Sequence, residues 1–156
     1  MMTLRIQLAD LDDTSHASAV VELIDGYARG PGGQNAPLDD AARGALTAGL
    51  RDHPMAHVFL AWRGDRAVGV AVCVQGFSTF AGRASLNIHD LAVADTFQGQ
   101  GIGEALLDHV VADARTRGCC KVTLEVHDSN ARAKRLYERK GFGPWSPATF
   151  FVTRPL

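Results

Sequence analysis

Residues Leu86 to Gly103 read LNIHDLAVADTFQGQGIG, and the hydrophobic pattern changes within this stretch. Its first part, Leu86–Val93, is rich in apolar and β-capable residues and predicts a strand. Residues 94–100 form a short polar connection. Beyond Gly101, apolar residues recur at the spacing of one helix face, namely Ile102, Ala105, Leu106, Val110 and Ala114. The stretch therefore predicts a strand, a loop and a helix in succession.

Three alternating glycines, Gly99, Gly101 and Gly103, lie where the predicted strand gives way to the helix. Glycine has no Cβ, so the backbone can approach a ligand closely. The first backbone amides of a helix have no partner within it and point outward with the positive end of the helix dipole. Because this geometry favours an anion, most often a phosphate, the corner predicts a site for a phosphate-bearing cofactor.

Two common phosphate-binding sequences fit this corner less well. The loop of nucleotide hydrolases ends in GKS or GKT, but Gly103 is followed by Glu104, so that reading fails. The dinucleotide fingerprint GxGxxG matches Gly99 and Gly101 and then meets Glu104 in place of its third glycine. Glu125 lies roughly where the ribose-binding acid of that fingerprint is expected, so an oxidoreductase with a nucleotide cofactor stays an alternative. In a third interpretation the glycines form only a tight connection.

Length and composition indicate a single globular domain, residues 1–156. The chain is 46% hydrophobic and has a formal net charge of -1, which gives no electrostatic reason to expect nucleic acid or an anionic membrane as a partner. Its three cysteines, two of them adjacent at Cys119 and Cys120, have neither a disulfide framework nor metal-ligand spacing. The N-terminus has no signal-peptide pattern and no apolar run is long enough for a bilayer. We therefore expect a cytoplasmic protein without a metal site.

The rest of the chain predicts further strands and helices around the central unit. Alternating apolar residues predict strands at Thr3–Leu8, Ala56–Trp62, Ala67–Val74, Lys121–Val126 and Phe150–Thr153. Helical spacing and helix-start residues predict helices after Asp13, over Leu38–Leu50 and over Asn130–Lys140. The loop Gly30–Pro37 joins the first two helices, which either form one wall of a substrate pocket or only pack. Since a helix joins them, the strands at Leu86 and Lys121 should be parallel neighbours.

The segments LAVADTFQGQGIGEALL and NARAKRLYERKGF resemble the GNAT superfamily of acetyl-CoA-dependent N-acetyltransferases. The cofactor motif of that family, Q/R-x-x-G-x-G/A, is filled by Gln98, Gly101 and Gly103. Its second signature, N-x-x-A-x-x-L-Y-x-x-x-G-F, is filled by Asn130, Ala133, Leu136, Tyr137, Gly141 and Phe142. Within the superfamily, the segment IHDLAV looks most like the diamine acetyltransferase branch. The resemblance implies a single-domain α/β fold of GNAT type, with a mixed and largely antiparallel central sheet flanked by helices.

The resemblance also implies acetyl-CoA as the co-substrate. Its pantetheine arm would lie along the end of the central strand, and its pyrophosphate would lie on the amides from Gly99 to Glu104. Asn130 is matched to a cofactor-contacting asparagine, and it can also cap its helix. The implied contacts are Leu91, Ala92, Val93, Gln98, Gly99, Gln100, Gly101, Ile102, Gly103, Glu104 and Asn130.

Acetyl transfer to an amine requires a base for the amine, a donor for the oxyanion and an acid for the departing thiolate. Tyr137 occupies the position of the acid in the family, and a tyrosine is protonated at neutral pH. His89 falls where the diamine branch carries a glutamate, and the usual pKa of histidine suits a base near neutrality. Asp90, Glu125 and a relayed water are the rival bases. Strict alternation would put His89 on the face of Leu91 and Val93, and Asp90 on the opposite face with Ile88.

The sequence therefore predicts an N-acetyltransferase that acts on a primary amine of a small molecule. Two other classes stay open: a non-catalytic acyl-CoA-binding module on the same fold, and the oxidoreductase described above. A homodimer is expected only because homodimers are common.

Overall fold

The computed structural model describes residues 2–156 and contains one five-stranded sheet. The strands lie in the order β1-β2-β3-β4-β5, with bounds Leu4–Leu8, Ala56–Arg63, Arg66–Ser78, Arg83–Val93 and Val122–Leu124. The pairs from β1 to β4 are antiparallel, whereas β4 and β5 are parallel. The prediction of a mixed and largely antiparallel sheet is confirmed.

Four helices cover the two faces of this sheet. They are α1 (Thr14–Arg29), α2 (Asp40–Asp52), α3 (Ile102–Thr116) and α4 (Ala131–Arg139), and a 3-10 turn occupies Asp95–Phe97. One core cluster packs α1 against the sheet through residues such as Val20 and Leu60. The other core cluster lies under α3 and α4 and contains Leu106 and Tyr137. The result is a three-layer α/β/α domain. Side chains of Asp13, Asp39 and Asn130 cap the starts of α1, α2 and α4, whereas α3 begins after Gly101.

The loop between α1 and α2 is held down by a buried carboxylate. Asp25 accepts a hydrogen bond from the backbone N–H of Leu38 at 2.9 Å and another from Nε of Arg29 at 2.9 Å. A Cβ on Gly32 would lie 3.2 Å from the ring of Tyr27. Since the loop passes this close to the ring, it fixes the position of Tyr27 at the end of α1.

The prediction of a final strand at Phe150–Thr153 is wrong. These residues form no strand, and Phe150, Phe151 and Val152 are 84%, 77% and 84% exposed. Aromatic and β-branched residues favour strands because they fit a pleated, half-buried surface, and that preference needs a neighbouring strand. Within residues 2–156, β5 is paired with β4 alone, so the C-terminal segment has no hydrogen-bonded strand beside it.

Candidate active site

The sheet opens between β4 and β5. The two strands pair at three positions: Leu86 with Val122, Asn87 with Thr123, and Ile88 with Leu124. β5 ends at Leu124, whereas β4 continues to Val93. In the described part of the chain, the edge of β4 beyond Ile88 therefore has no strand beside it. An extended ligand can hydrogen-bond to such a free edge as an added strand would.

A β-bulge begins where the gap opens. Along the β3–β4 pairing, Val72 faces Asp90 and Cys73 faces Ile88, so His89 is an extra residue in β4. A bulge of this kind re-aims the side chains around it and increases the local twist. The twist and the early end of β5 together separate the two strands.

The bulge also decides which backbone groups point into the gap. Before it, the N–H of Leu86 donates to the carbonyl of Lys121, on the β5 side. After it, the N–H of Ala94 donates to β3. Because backbone groups alternate sides along a strand, the N–H and C=O groups of Leu91 and Val93 point into the gap. Residues predicted to bind the cofactor thus present backbone donors and acceptors to the gap, although the carbonyl of Val93 also accepts a hydrogen bond from Nε2 of Gln98 at 3.4 Å.

The bulge overturns one expectation about side-chain faces. Ile88 and Leu91 pack in the same core cluster, on the α3 face of the sheet. Asp90 pairs across from Val72, which packs on the α1 face. Strict alternation predicted that Ile88 and Asp90 would share one face of the sheet and that His89 would lie on the other face with Leu91 and Val93. This prediction is wrong, because the extra residue His89 shifts the alternation of side chains along β4. His89 and Asp90 follow each other on the α1 face.

Asp90 is a partly buried carboxylate in this region. Its burial raises its pKa above the ordinary value, His89 opposes the rise and Glu125 adds to it. Burial also raises the pKa of Tyr27, and the carboxylate of Asp90 contributes to that shift. Asn87 donates to Oγ1 of Thr123 at 3.0 Å, which joins β4 to β5 just before the gap. The α1 side of the gap thus carries acidic groups.

Tyr137 lies on the other helix that borders the gap. Its side chain is 8% exposed and its ring centroid is 5.9 Å from that of Phe142. Burial raises the pKa of the phenol, and the nearby phenol of Tyr27 raises it further. Tyr137 therefore keeps its proton at neutral pH and is able to donate it.

The glycine loop has the backbone that the sequence predicts for close approach. Gly99 and Gly101 both have φ of 78°, in the left-handed region that favours glycine. Gly101 is the N-cap of α3, so the first amides of that helix lie directly after the loop. The side chain of Gln98 donates to Oδ1 of Asp95 at 3.1 Å and holds the start of the loop. The strand, the loop and the helix N-terminus thus meet at one end of the gap.

Two further predicted cofactor residues have internal partners. Oε1 of Glu104 lies 2.9 Å from Nζ of Lys140, and Oε2 lies 3.7 Å from Nη2 of Arg139. The negative charge of Glu104 in the first turn of α3 is therefore largely neutralised by the cations Arg139 and Lys140 at the end of α4. Oδ1 of Asn130 accepts from the N–H of Ala133 at 3.1 Å and caps α4.

One cation that the sequence interpretation did not single out lies beside this loop. Nη2 of Arg132 is 3.6 Å from the position that a Cβ on Gly99 would occupy. Arg132 stands in the first turn of α4, where a cation is unfavourable because the helix dipole is positive there.

The described residues, 2–156, contain no cluster of three or more potential metal ligands. Burial raises the pKa of the Cys73 thiol to about 12, so this cysteine is a core residue without thiolate character. No helix in the same range is long and apolar enough to cross a membrane.

Comparison with known proteins agrees with this architecture. The sequence model of the Acetyltransferase (GNAT) family matches residues 19–142, and the chain belongs to this family. The chain is 30% identical to glucosamine 6-phosphate N-acetyltransferase of Trypanosoma brucei brucei over 131 residues, which cover 83% of this chain and 84% of that protein.

Two other matches show less, because one covers a smaller part of the chain and the other has a lower sequence identity. The ribosomal protein bS18-alanine N-acetyltransferase of Escherichia coli K12 is 44% identical over 55 residues, 35% of this chain, and the match spans only 37% of the length of that relative. The solved structure of an integron cassette protein from the mobile metagenome of V. cholerae has a TM-score of 0.82 and 20% identity, with 99% of this chain and 94% of that chain covered. At that identity the structural match shows the fold alone.

Proposed function

We propose that this protein transfers an acetyl group from acetyl-CoA to a primary amine of a small molecule. The observation that carries the proposal is the free edge of β4, where the backbone groups of Leu91 and Val93 face the gap beside the glycine loop. An edge strand suits the amides of a pantetheine arm, and a glycine loop at a helix N-terminus suits a pyrophosphate. Membership of the GNAT family supports acetyl-CoA as the ligand that combines both parts.

When bound, acetyl-CoA supplies an activated acyl group, and the residues of the chain have three tasks. A backbone N–H of Leu91 or Val93 donates a hydrogen bond to the thioester oxygen as negative charge develops there. Tyr137 donates its proton to the departing sulfur. Its raised pKa supports this role, because the phenol is fully protonated at neutral pH. Gln98, Gln100 and Ile102 complete the loop that carries the phosphates.

For the base we propose His89, which accepts the proton of the amine. The bulge supports this role because it brings His89 to the same face as Asp90, on the side of the gap that α1 covers. Asp90 is the rival, since its burial raises its pKa towards the range in which a carboxylate can act as a base. The two assignments predict different pH profiles for kcat/KM.

The acceptor is proposed to be a small cationic amine. Asp90 and Glu125 give this side of the gap negative charge, which favours a protonated amine as it arrives. The T. brucei relative is named for a small-molecule acceptor, whereas the E. coli relative is named for a protein alanine. The segment IHDLAV favours a diamine within the small-molecule class.

The test begins with calorimetric titration of the purified protein with acetyl-CoA, with NAD as the control ligand. We expect saturable one-to-one binding of acetyl-CoA and none of NAD. Release of free thiol is then measured with a diamine, with glucosamine 6-phosphate and with a peptide that begins with alanine. Turnover of a small amine supports the proposal, and turnover of the peptide alone rejects its substrate class. Binding without turnover of any amine would instead indicate a non-catalytic acyl-CoA-binding module.

A further inference from the structure

The hairpin formed by β3 and β4 extends past the rest of the sheet. β2 begins at Ala56, which faces Val74, and beyond Val74 the strand β3 pairs only with β4. Two phenylalanines of this extension project into solvent, since Phe77 is 66% exposed and Phe80 is fully exposed. Large apolar side chains that lie close together in solvent are typical of a contact surface. The hairpin tip, residues 76–83, is therefore a candidate for binding another protein surface.

The hairpin tip is also cationic. Residues 66–89 contain neither Asp nor Glu, so the hairpin has no carboxylate of its own near the tip. Nη2 of Arg83 donates to the carbonyl of Gly118 at 3.2 Å, and Arg83 has no ion-pair partner among residues 2–156. Lys121 lies beside the base of the hairpin, where its carbonyl accepts from the N–H of Leu86. This lysine is exposed and likewise has no carboxylate within ion-pair distance in the described part of the chain.

An open hollow lies at the same end of the sheet as the hairpin tip. Its volume is about 250 Å³, and it lies at the start of β2, where the hairpin extension begins. Leu8, Leu11 and Leu50 give it apolar walls, and Leu8 is 52% exposed. An engineered apolar cavity of roughly 150 Å³ holds benzene, so this hollow can accept one phenyl ring.

The rim of the hollow is acidic. Asp10 and Asp12 both line it and both are exposed. Oδ1 of Asp12 lies 3.6 Å from Nη1 of Arg51, which also lines the hollow. Asp10 has no ion-pair partner among residues 2–156. The hollow thus carries uncompensated negative charge, and the tip carries uncompensated positive charge. Such complementary potentials orient two surfaces and speed their association.

We infer that this end of the sheet is the interface of a homodimer, in which the hairpin tip of each copy places Phe80 in the hollow of the other copy. A two-fold axis makes both contacts at once, because the same surface then serves both copies. Arg83 and Lys121 of one copy meet Asp10 and Asp12 of its partner. A second copy is the occupant that matches, because one chain carries both halves of the contact.

The dimer leaves the candidate active site open. The hairpin tip precedes β4, whereas the gap lies beyond Ile88, towards the other end of that strand. The association therefore goes beyond the proposed acetyl transfer and does not depend on it.

The first experiment measures the oligomeric state of the purified protein by sedimentation velocity over a range of concentrations. We expect the wild-type protein to show a monomer–dimer equilibrium. Phe80→Ser should raise the dissociation constant of the dimer about tenfold or more, because the symmetric dimer loses two buried rings. Phe150→Ser is the matched control, since Phe150 is also exposed but lies in the C-terminal segment outside the sheet. That variant should leave the dissociation constant unchanged.

The second experiment reverses charges. Arg83→Glu and Asp10→Lys should each suppress the dimer, because like charges then face each other in both contacts. An equal mixture of the two variants should recover it, because both contacts of the mixed dimer again join opposite charges. High salt should weaken the wild-type dimer. Circular dichroism and acetyl-CoA affinity show whether each variant is folded, and Asp12→Lys replaces Asp10→Lys if the latter does not fold.

Four results would overturn the inference. One is a wild-type protein that stays monomeric at every concentration, and another is an equal loss of dimer in Phe80→Ser and Phe150→Ser. The third is a mixture of the charge-reversed variants that stays monomeric. The fourth is binding of monomers to vesicles of anionic lipid without any dimer, which would assign the tip to a lipid surface.

Discussion

Lys140 at the end of α4 and Glu104 in the first turn of α3 form an ion pair at 2.9 Å. Hydrogen bonds to Asp108 and to Glu104 raise the pKa of Lys140, so this lysine is charged at neutral pH. The pair fastens α4 beside the glycine loop. It also compensates a carboxylate that would otherwise oppose an anion at the N-terminus of α3.

Replacement of Lys140 by methionine should therefore weaken acetyl-CoA binding. The pair is partly exposed and screened by solvent, so we expect a loss by a factor of about two to five. Titration calorimetry at low and at high salt measures the effect, which should shrink at high salt. The double variant Lys140→Met with Glu104→Gln should regain the lost affinity. An unchanged affinity of Lys140→Met at low salt would show that Glu104 does not act on the ligand.

Tyr137→Phe should preserve acetyl-CoA binding and reduce kcat by about tenfold or more, because it removes the proton donor and keeps the ring. Calorimetry and a free-thiol assay separate the two effects. Tyr27→Phe is the natural comparison, since Tyr27 is the other tyrosine of the chain and lies on the α1 side. That variant should change KM for the amine more than kcat. A normal kcat in Tyr137→Phe would remove the acid role.

His89→Gln should abolish the acidic limb of the pH profile of kcat/KM, because the group that accepts the amine proton is gone. Asp90→Asn should lower the rate but keep a limb that depends on pH. The opposite pattern, with the limb lost only in Asp90→Asn, would make the carboxylate the base. If both variants keep the acidic limb, a relayed water is favoured as the base. Acetyl-CoA affinity should be unchanged in both variants, since the backbone provides its contacts.

Asp90→Asn should also stabilise the protein at neutral pH. Burial raises the pKa of Asp90 in the folded state above the ordinary value of 3.8. The folded state then binds more protons than the unfolded state in the range above 3.8, so the stability contributed at this site falls as pH rises through that range. The variant lacks this loss, and its Tm should exceed that of the wild type at neutral pH. Below the ordinary carboxyl range the difference should vanish; a difference that persists there would have another cause.

The two glycines at the start of α3 should differ in their tolerance of alanine. Gly101 has φ of 78°, so Gly101→Ala should lower the free energy of unfolding by about 1–2 kcal/mol. A Cβ on Gly103 would meet Cγ2 of Val93 at 3.6 Å, an ordinary contact, and its φ is not in the left-handed region. Gly103→Ala should therefore be neutral or slightly stabilising. Urea denaturation measures both, and equal effects would contradict the role of backbone strain.

The sequence predicts most of the fold because its local rules agree with one another. Asp13 caps α1 as expected, Gly64 has the positive φ of a hairpin turn, and a helix connects β4 to its parallel neighbour. The strand predicted at Phe150–Thr153 is absent because local composition and tertiary structure disagree there. The composition favours a strand, but only a neighbouring strand could stabilise it.

The site was predictable only where it depends on local sequence. The glycine loop follows from the spacing of Gly99 and Gly101, and Tyr137 follows from the second signature. The bulge at His89 was not predicted. The adjacent polar residues His89 and Asp90 do interrupt the apolar alternation, but the extra residue is defined only by its pairing with β3. The proximity of Arg132 to Gly99 was not predicted for a similar reason, since it joins two segments that are distant in the chain.

The bulge in β4 has a consequence for how the specificity of the protein can change. The donor is expected to contact backbone groups of β4, which every amino acid provides, whereas the acceptor meets side chains on the α1 face. Substitutions at position 90, next to the proposed base, can therefore alter the choice of amine while acetyl-CoA recognition persists. We expect a variant library at position 90, with His89 kept, to yield new acceptor preferences at nearly constant donor affinity, because the side chain changes and the backbone contacts of the donor do not.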